Sequence, residues 1–156
     1  MRNARNISVS IPLLELLRLI QIQKIKNTKK IFVQTDGPLE VYADRDRIGQ
    51  VLSSLLSNAL KYSDSGDEII VKTEKQNGKV ICSIKDNGIG IAQDQQTKIF
   101  ERFYRASGEN LHTYPGLGLG LYISKEIIEK HHEKIWVESE EGKGSVFHFS
   151  LPINNS

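Results

Sequence analysis

Cysteine is almost absent from this chain of 156 residues, where Cys82 stands alone. A single thiol excludes an internal disulfide framework and a cysteine-based zinc cluster. An excess of either charge is lacking too. Twenty-one Lys and Arg against 19 Asp and Glu leave a formal charge of +2, too balanced to imply a nucleic acid or an anionic membrane as partner. No apolar run approaches the roughly 18 residues of a membrane-spanning helix. Met1-Arg2-Asn3-Ala4-Arg5-Asn6 lacks the apolar core of a signal peptide. Internal repeats and low-complexity segments are missing as well. What the chain does have is an apolar fraction of 38%, enough for the core of one domain and too much for wholesale disorder. Composition predicts a soluble domain of a reducing compartment and leaves its function open.

The spacing of the apolar residues predicts the elements. Ile11, Leu13, Leu14, Leu16, Leu17, Leu19, Ile20 and Ile22 follow a helical pattern, with Pro12 suited to its first turn. Residues 29–34 read as a short strand, and Asp36-Gly37-Pro38 as a turn. A second helix is expected from its cap Asp44 to Tyr62, with Ile48, Val51, Leu52, Leu55, Leu56 and Ala59 as its apolar face. Strands over 68–75 and 79–85 flank Gln76-Asn77-Gly78, a hairpin signal. A short helix near 93–100 comes next, then an aperiodic loop over 106–117. A third long helix runs from Gly118 to His131, burying Leu121, Ile123, Ile127 and Ile128. Residues 134–139 and 145–151 form a closing hairpin around Glu141-Gly142-Lys143-Gly144. This order predicts an α+β two-layer sandwich, a mixed and mostly antiparallel sheet with helices on one face. Residues 1–8 read as a tail and 9–156 as the domain.

Two glycine loops carry the chemistry. Gly88-Ile89-Gly90 follows a strand, but the third glycine of a G-x-G-x-x-G dinucleotide fingerprint is missing. Gly116-Leu117-Gly118-Leu119-Gly120 fails the same test, because Ile123 holds the third position, and no P-loop string occurs. The second loop nonetheless removes Cβ atoms where a helix begins, so the N–H groups of the first turn can meet anionic oxygen. A plain hinge before a helix accounts for it equally well. Asp86 ends a strand and precedes two glycines that let a flat ligand approach the backbone. Its carboxylate can accept a hydrogen bond from an exocyclic amine such as that of adenine, or simply bond its own turn. Ser54, Asn58 and Lys61 share one helix face. An Asn58 amide oxygen suits Mg²⁺ and Lys61 suits phosphate, although a solvated polar stripe has the same pattern.

Taken together, these strings resemble the sensor histidine kinases. Residues 50–63 (QVLSSLLSNALKYS) look like their N box, and Asp86-Asn87-Gly88-Ile89-Gly90-Ile91 like their first glycine box. Residues 99–105 (IFERFYR) resemble the F box, and 116–121 the second glycine box. Four boxes in order, with Tyr42-Ala43-Asp44 upstream and a similar tail over 134–145, cover roughly residues 40 to 151. The resemblance implies the Bergerat ATP-binding fold, shared with type II topoisomerases, Hsp90-like chaperones and mismatch-repair ATPases. By that resemblance Asp86 would bind the adenine amino group, and Gly88 and Gly90 would lie at the base. Asn58 would hold Mg²⁺. Lys61, Tyr62, Tyr104 and Arg105 would contact the nucleotide, and Gly118, Leu119 and Gly120 would offer amides to its phosphates. Residues 100–117 would form a lid over ATP, latched by Phe100 and Phe103.

Two positions depart from the family pattern. A second Asn usually lies four residues before the Mg²⁺ ligand, where this chain has Ser54, which can reach the metal only through water. The usual His-Gly-Gly after the third helix is His131-His132-Glu133 here, which removes glycines from the helix cap. ATPases of this fold place a Glu general base at the position of Ser54. A serine has no comparable basicity, which disfavours fast hydrolysis and favours phosphoryl transfer to a nucleophile supplied elsewhere. None of His112, His131, His132 and His148 sits in a phosphoacceptor pattern. The chain therefore reads as the catalytic part of a kinase whose acceptor histidine lies on a separate dimerisation domain, with a response regulator as the next acceptor. It would be cytoplasmic, with no nucleic-acid or membrane contact of its own. The alternatives are a nucleotide-binding regulatory module without transfer and an ATPase of the same fold.

Overall fold

A computed structural model of the chain describes residues 8–12, 30–35, 40–63, 68–102, 104 and 119–153. Its elements are β1 (Ser8–Pro12), β2 (Lys30–Thr35), β3 (Glu40–Asp44), α1 (Arg45–Tyr62), β4 (Glu68–Gln76), β5 (Lys79–Asp86), two short 3₁₀ turns (Gln93–Gln95 and Lys98–Phe100), α2 (Gly120–Lys130), β6 (Ile135–Glu140) and β7 (Gly144–Pro152).

Helix α1 starts where Asp44 caps it, Oδ1 accepting from the amides of Asp46 at 3.1 Å and Arg47 at 3.3 Å. Ile48, Val51, Leu52, Leu55, Leu56, Ala59 and Leu60 recur at helical spacing and are all buried. The helix stops at Ser63, whose hydroxyl donates to the Ala59 carbonyl at 2.7 Å. The β4–β5 hairpin turns through Asn77 and Gly78, with φ of 53° and 78°, the two positive values that a tight turn between twisted strands requires.

Among the described residues, five strands form one sheet in the order β2-β4-β5-β7-β6. Only β2 runs parallel to its neighbour β4, and the other three pairings are antiparallel. Ile69 and Val71 of β4, Cys82 and Ile84 of β5, and Phe147, Phe149 and Leu151 of β7 pack with the apolar faces of both helices in one core. The mixed, mostly antiparallel sandwich predicted from the sequence is the one observed.

The differences from expectation are local. β1 and β3 pair as a separate antiparallel ribbon, Ile11 opposite Val41 and Pro12 opposite Glu40. Ile11 and Pro12 therefore belong to a strand rather than to the first turn of a helix, and residues 13–22 of that expected helix lie outside the described residues. Helix α2 is shorter than expected, Gly120 to Lys130, and Leu121 and Ile123 are only partly buried. The expected helix over 93–100 is two 3₁₀ turns. The turn at 36–38 and the loop at 106–117 also lie outside the described residues.

The end of α2 answers the question raised by its missing glycines. His132 takes φ of 59°, the left-handed conformation glycine usually supplies, and the Glu133 amide donates back to the Ile128 carbonyl at 3.1 Å. Glu133 also acquires a role glycine could not fill. Its buried carboxylate pairs with Lys79 and accepts from the Ser150 hydroxyl at 2.8 Å, tying the chain after α2 to β5 and β7.

Candidate functional site

Residues 54, 58 and 62 of α1 fall one above another at i, i+4 spacing. The first glycine loop seats on the C-terminal end of this face. The Ile89 amide donates to the Tyr62 carbonyl at 3.3 Å. A Cβ on Gly88 would stand 2.1 Å from that same carbonyl oxygen, so only glycine allows the loop to lie so close. Asp86, buried at the end of β5, is held by the loop it introduces, Oδ1 accepting from the Gly88 amide at 2.9 Å. This is the aspartate turn considered above as the plain alternative. It does not exclude a ligand, because a carboxylate has about four lone-pair positions and the turn fixes its orientation.

The start of α2 meets the other end of the face. A Cβ on Gly120 would lie 2.8 Å from Ser54 Oγ, so the helix N-terminus abuts Ser54. Asn58, half-buried, lies one turn from Ser54 and one turn from Tyr62. The structure thus brings together Ser54, Asn58, Tyr62, Asp86, Gly88 and Gly120, with Leu119 immediately before α2 and Lys61 exposed on the last turn of α1. Tyr104 is half-buried against the core. Phe100 is buried edge-on to Phe147, ring centroids 6.2 Å apart, and anchors the segment that leads to the expected lid. Phe103, Arg105 and Gly118 lie outside the described residues.

Gly90 serves packing as well. With φ of 72°, its absent Cβ would come 2.1 Å from the Glu140 carbonyl oxygen, so glycine is required there by the β6–β7 turn whatever binds nearby. Gly142 of that turn donates its amide to the Ile89 carbonyl at 2.7 Å.

Sequence reasoning missed the residues that support this loop. Gly144 has φ of 102°, and a Cβ on it would stand 2.2 Å from the Asp86 carbonyl oxygen. Ser139 Oγ accepts from the Ile91 amide and donates to the Gly144 carbonyl, both at 2.8 Å. Gln96 Nε2 bridges the carbonyls of Ile91 and Ser139 at 3.0 and 2.8 Å. The spacing of Gly142 and Gly144 was the one available signal, since Ser139 and Gln96 belong to no local pattern.

The arrangement offers an acceptor carboxylate at one end, a helix N-terminus at the other and an amide oxygen between them. Among the described residues, no group of three or more His, Cys, Asp and Glu side chains converges on a metal site. A Mg²⁺ ion beside Asn58 needs none, because this ion takes most of its oxygen ligands from phosphate and water. Among the described residues no helix is long and apolar enough to cross a membrane.

Comparison with known proteins bears on the family and the fold. The family model for the histidine kinase-, DNA gyrase B- and HSP90-like ATPases matches residues 43–155. The chain is 38% identical over 138 residues to the sensor histidine kinase WalK of Bacillus subtilis (strain 168), covering 84% of this chain and 23% of WalK. It thus spans about a quarter of that relative's length. The solved catalytic domain of the histidine kinase ThkA is 33% identical with a TM-score of 0.79, over 93% of this chain and 97% of that one. ThkA in complex with the response regulator protein TrrA matches at 30% identity with a TM-score of 0.75, over 94% of this chain and 42% of that one. The chain belongs to the histidine kinase-, DNA gyrase B- and HSP90-like ATPase family, as an ATP-binding domain homologous to the catalytic domains of sensor histidine kinases.

Proposed function

We propose that this chain is the catalytic part of a two-component sensor histidine kinase, binding Mg-ATP and presenting its γ-phosphate to a histidine on a separate dimerisation domain of the same parent protein. The observation that carries this reading is the meeting of Asp86 and the start of α2 on the two ends of the Asn58 face. Asp86 accepts from the adenine amino group, with Gly88 and Gly90 beside the base. Lys61, Tyr62, Tyr104 and Arg105 contact phosphate or ribose oxygens. Gly118, Leu119 and Gly120 present N–H groups to phosphate, where the helix dipole favours negative charge. Asn58 would hold Mg²⁺ directly, and Ser54 would reach it through water. When bound, the magnesium would neutralise phosphate charge.

The acceptor imidazole nitrogen attacks the γ-phosphorus in line. The bond to the β–γ bridging oxygen breaks, and ADP leaves with that oxygen. The chain's own part in this step is positioning and electrostatic stabilisation. Ser54 supplies no base to activate water, so the phosphoryl group is kept for the histidine. An aspartate of a response regulator receives it next, a reading supported by the regulator that accompanies ThkA. We place residues 9–156, as the catalytic unit, in the cytoplasm.

The test is reconstitution with a histidine-bearing dimerisation domain and γ-labelled ATP, together with calorimetric titration of ATP with and without Mg²⁺. The reading expects magnesium-strengthened binding and an acid-labile phosphohistidine. Ser54 favours a second reading, a regulatory module that binds nucleotide and docks a partner. Tight Mg-ATP binding with no phosphohistidine would establish it. Sustained phosphate release by the isolated chain would instead indicate an ATPase.

A further inference from the structure

β6 is the last strand of the five-stranded sheet, and among the described residues it pairs with β7 alone. The Ser150 amide donates to the Lys134 carbonyl at 3.0 Å, which makes 134 and 150 a hydrogen-bonded pair. By antiparallel alternation, residues 136, 138 and 140 bond to β7, while 135, 137 and 139 aim their N–H and C=O groups outward. Ser139 follows this rule, its carbonyl accepting from Gln96 Nε2. The loop from Ile91 to Gln96 thus covers the edge at Ser139 and leaves a cleft of about 390 Å³ beside Val137. Ile91, Ala92 and Val137 give the cleft apolar lining, and Glu138, Glu140 and Glu141 line it with acid.

We propose that this edge of β6 docks an extended, cationic segment of a partner protein as a sixth strand. The chemistry of the occupant follows from the pleat. Side chains of an added strand alternate between the two faces. On the outer face they meet Glu138, with Glu140 beyond the covered position at the end of the strand, and on the inner face they meet Val137 and Ile91. Lys or Arg alternating with Val or Ile satisfies both faces, with opposite charges in cross-strand contact. A second copy of β6 is the wrong occupant, because it would set Glu against Glu, the arrangement that keeps sheet edges from self-association. Lys143 lies 3.2 Å from Glu140, but both side chains are largely exposed, so this pair competes weakly.

The test is fluorescence anisotropy of a labelled Lys-Val-Lys-Val-Lys peptide titrated with the whole chain at low salt. Saturable binding is expected, weakening as salt is added. Glu138→Lys with Glu140→Lys should weaken it by about tenfold or more. These side chains are 72% and 69% exposed, so the variant keeps the fold, checked by an unchanged thermal transition. N-methylation of alternate peptide amides should abolish binding, because it removes the ladder hydrogen bonds. Absence of binding, equal binding of a Glu-Val-Glu-Val-Glu peptide, undiminished affinity in the charge-reversed chain, or full binding of the N-methylated peptide would each overturn the proposal.

Discussion

The backbone amide of Asp44 donates to His131 Nε2 at 3.1 Å, joining residues 87 apart in sequence. The same ring closes on α2 through Nδ1, which lies 2.8 Å from the Ile127 carbonyl. Because Nε2 must accept, the proton resides on Nδ1, and the ring is neutral in this arrangement. One imidazole thus fastens the C-terminus of α2 to the N-cap of α1, while the opposite end of α2 rests on Ser54.

Replacing His131 by Ala should destabilise the chain by about 1–3 kcal/mol, since the part-buried Asp44 amide loses its acceptor and the Ile127 carbonyl keeps only the backbone amide of residue 131 as its donor. Urea denaturation measures this directly. The nitrogen chemical shifts of the wild-type ring should identify the Nδ1–H tautomer. A neutral effect on stability, or an Nε2–H tautomer, would contradict the geometry.

Asp86→Asn keeps an oxygen that can accept from the Gly88 amide, so the fold should survive with little loss. It removes the carboxylate, so ATP affinity should fall by about tenfold or more, the worth of a charge-assisted hydrogen bond. Parallel denaturation and ATP titrations separate the two effects. Unchanged affinity in the folded variant would remove Asp86 from the adenine site.

On the proposed metal role, Asn58→Ala should act differently, with ATP affinity falling more in the presence of Mg²⁺ than in its absence. Titrations with and without the ion read this difference. An equal loss in both conditions would count against a metal role.

Two glycines that look alike in the motifs should respond unequally to alanine. At Gly90 the new Cβ meets a backbone carbonyl at 2.1 Å with φ already positive, so Gly90→Ala should cost more than about 2 kcal/mol. At Gly120, among the described residues, it meets only the Ser54 hydroxyl at 2.8 Å. That side chain can rotate, and Ala favours the helix, so the cost should stay below about 1 kcal/mol. Thermal denaturation of both variants gives the comparison.

Burial pushes the Cys82 thiol from its ordinary value of 9.0 up to about 12. The unfolded chain therefore gives up this proton first as pH rises. Between about pH 9 and 12 the folded state binds more protons than the unfolded one, so this group lowers stability with rising pH. At neutral pH the thiol should stay unreactive towards a disulfide reagent until the chain is unfolded.

What the sequence determined by itself was local or carried by motif. Asp44 as a cap, the apolar spacing from Ile48 to Ala59, and Asn77-Gly78 as a turn each act within a few residues, so their consequences are readable in order along the chain. The four boxes identified the family for the same reason, being contiguous strings. Strand β3 had a readable signal in Val41 and Ala43 buried between exposed Glu40 and Tyr42, but five residues are too few for periodicity to separate it from a loop. Only the tertiary structure placed Ile11 and Pro12 in a strand, since their partners Val41 and Glu40 lie far along the chain. It alone explained why 90 and 144 must be glycine, because the atoms that forbid a side chain, the carbonyls of Glu140 and Asp86, come from other elements. Steric exclusion acts across space, and that contact is written in the packing of the loops against one another.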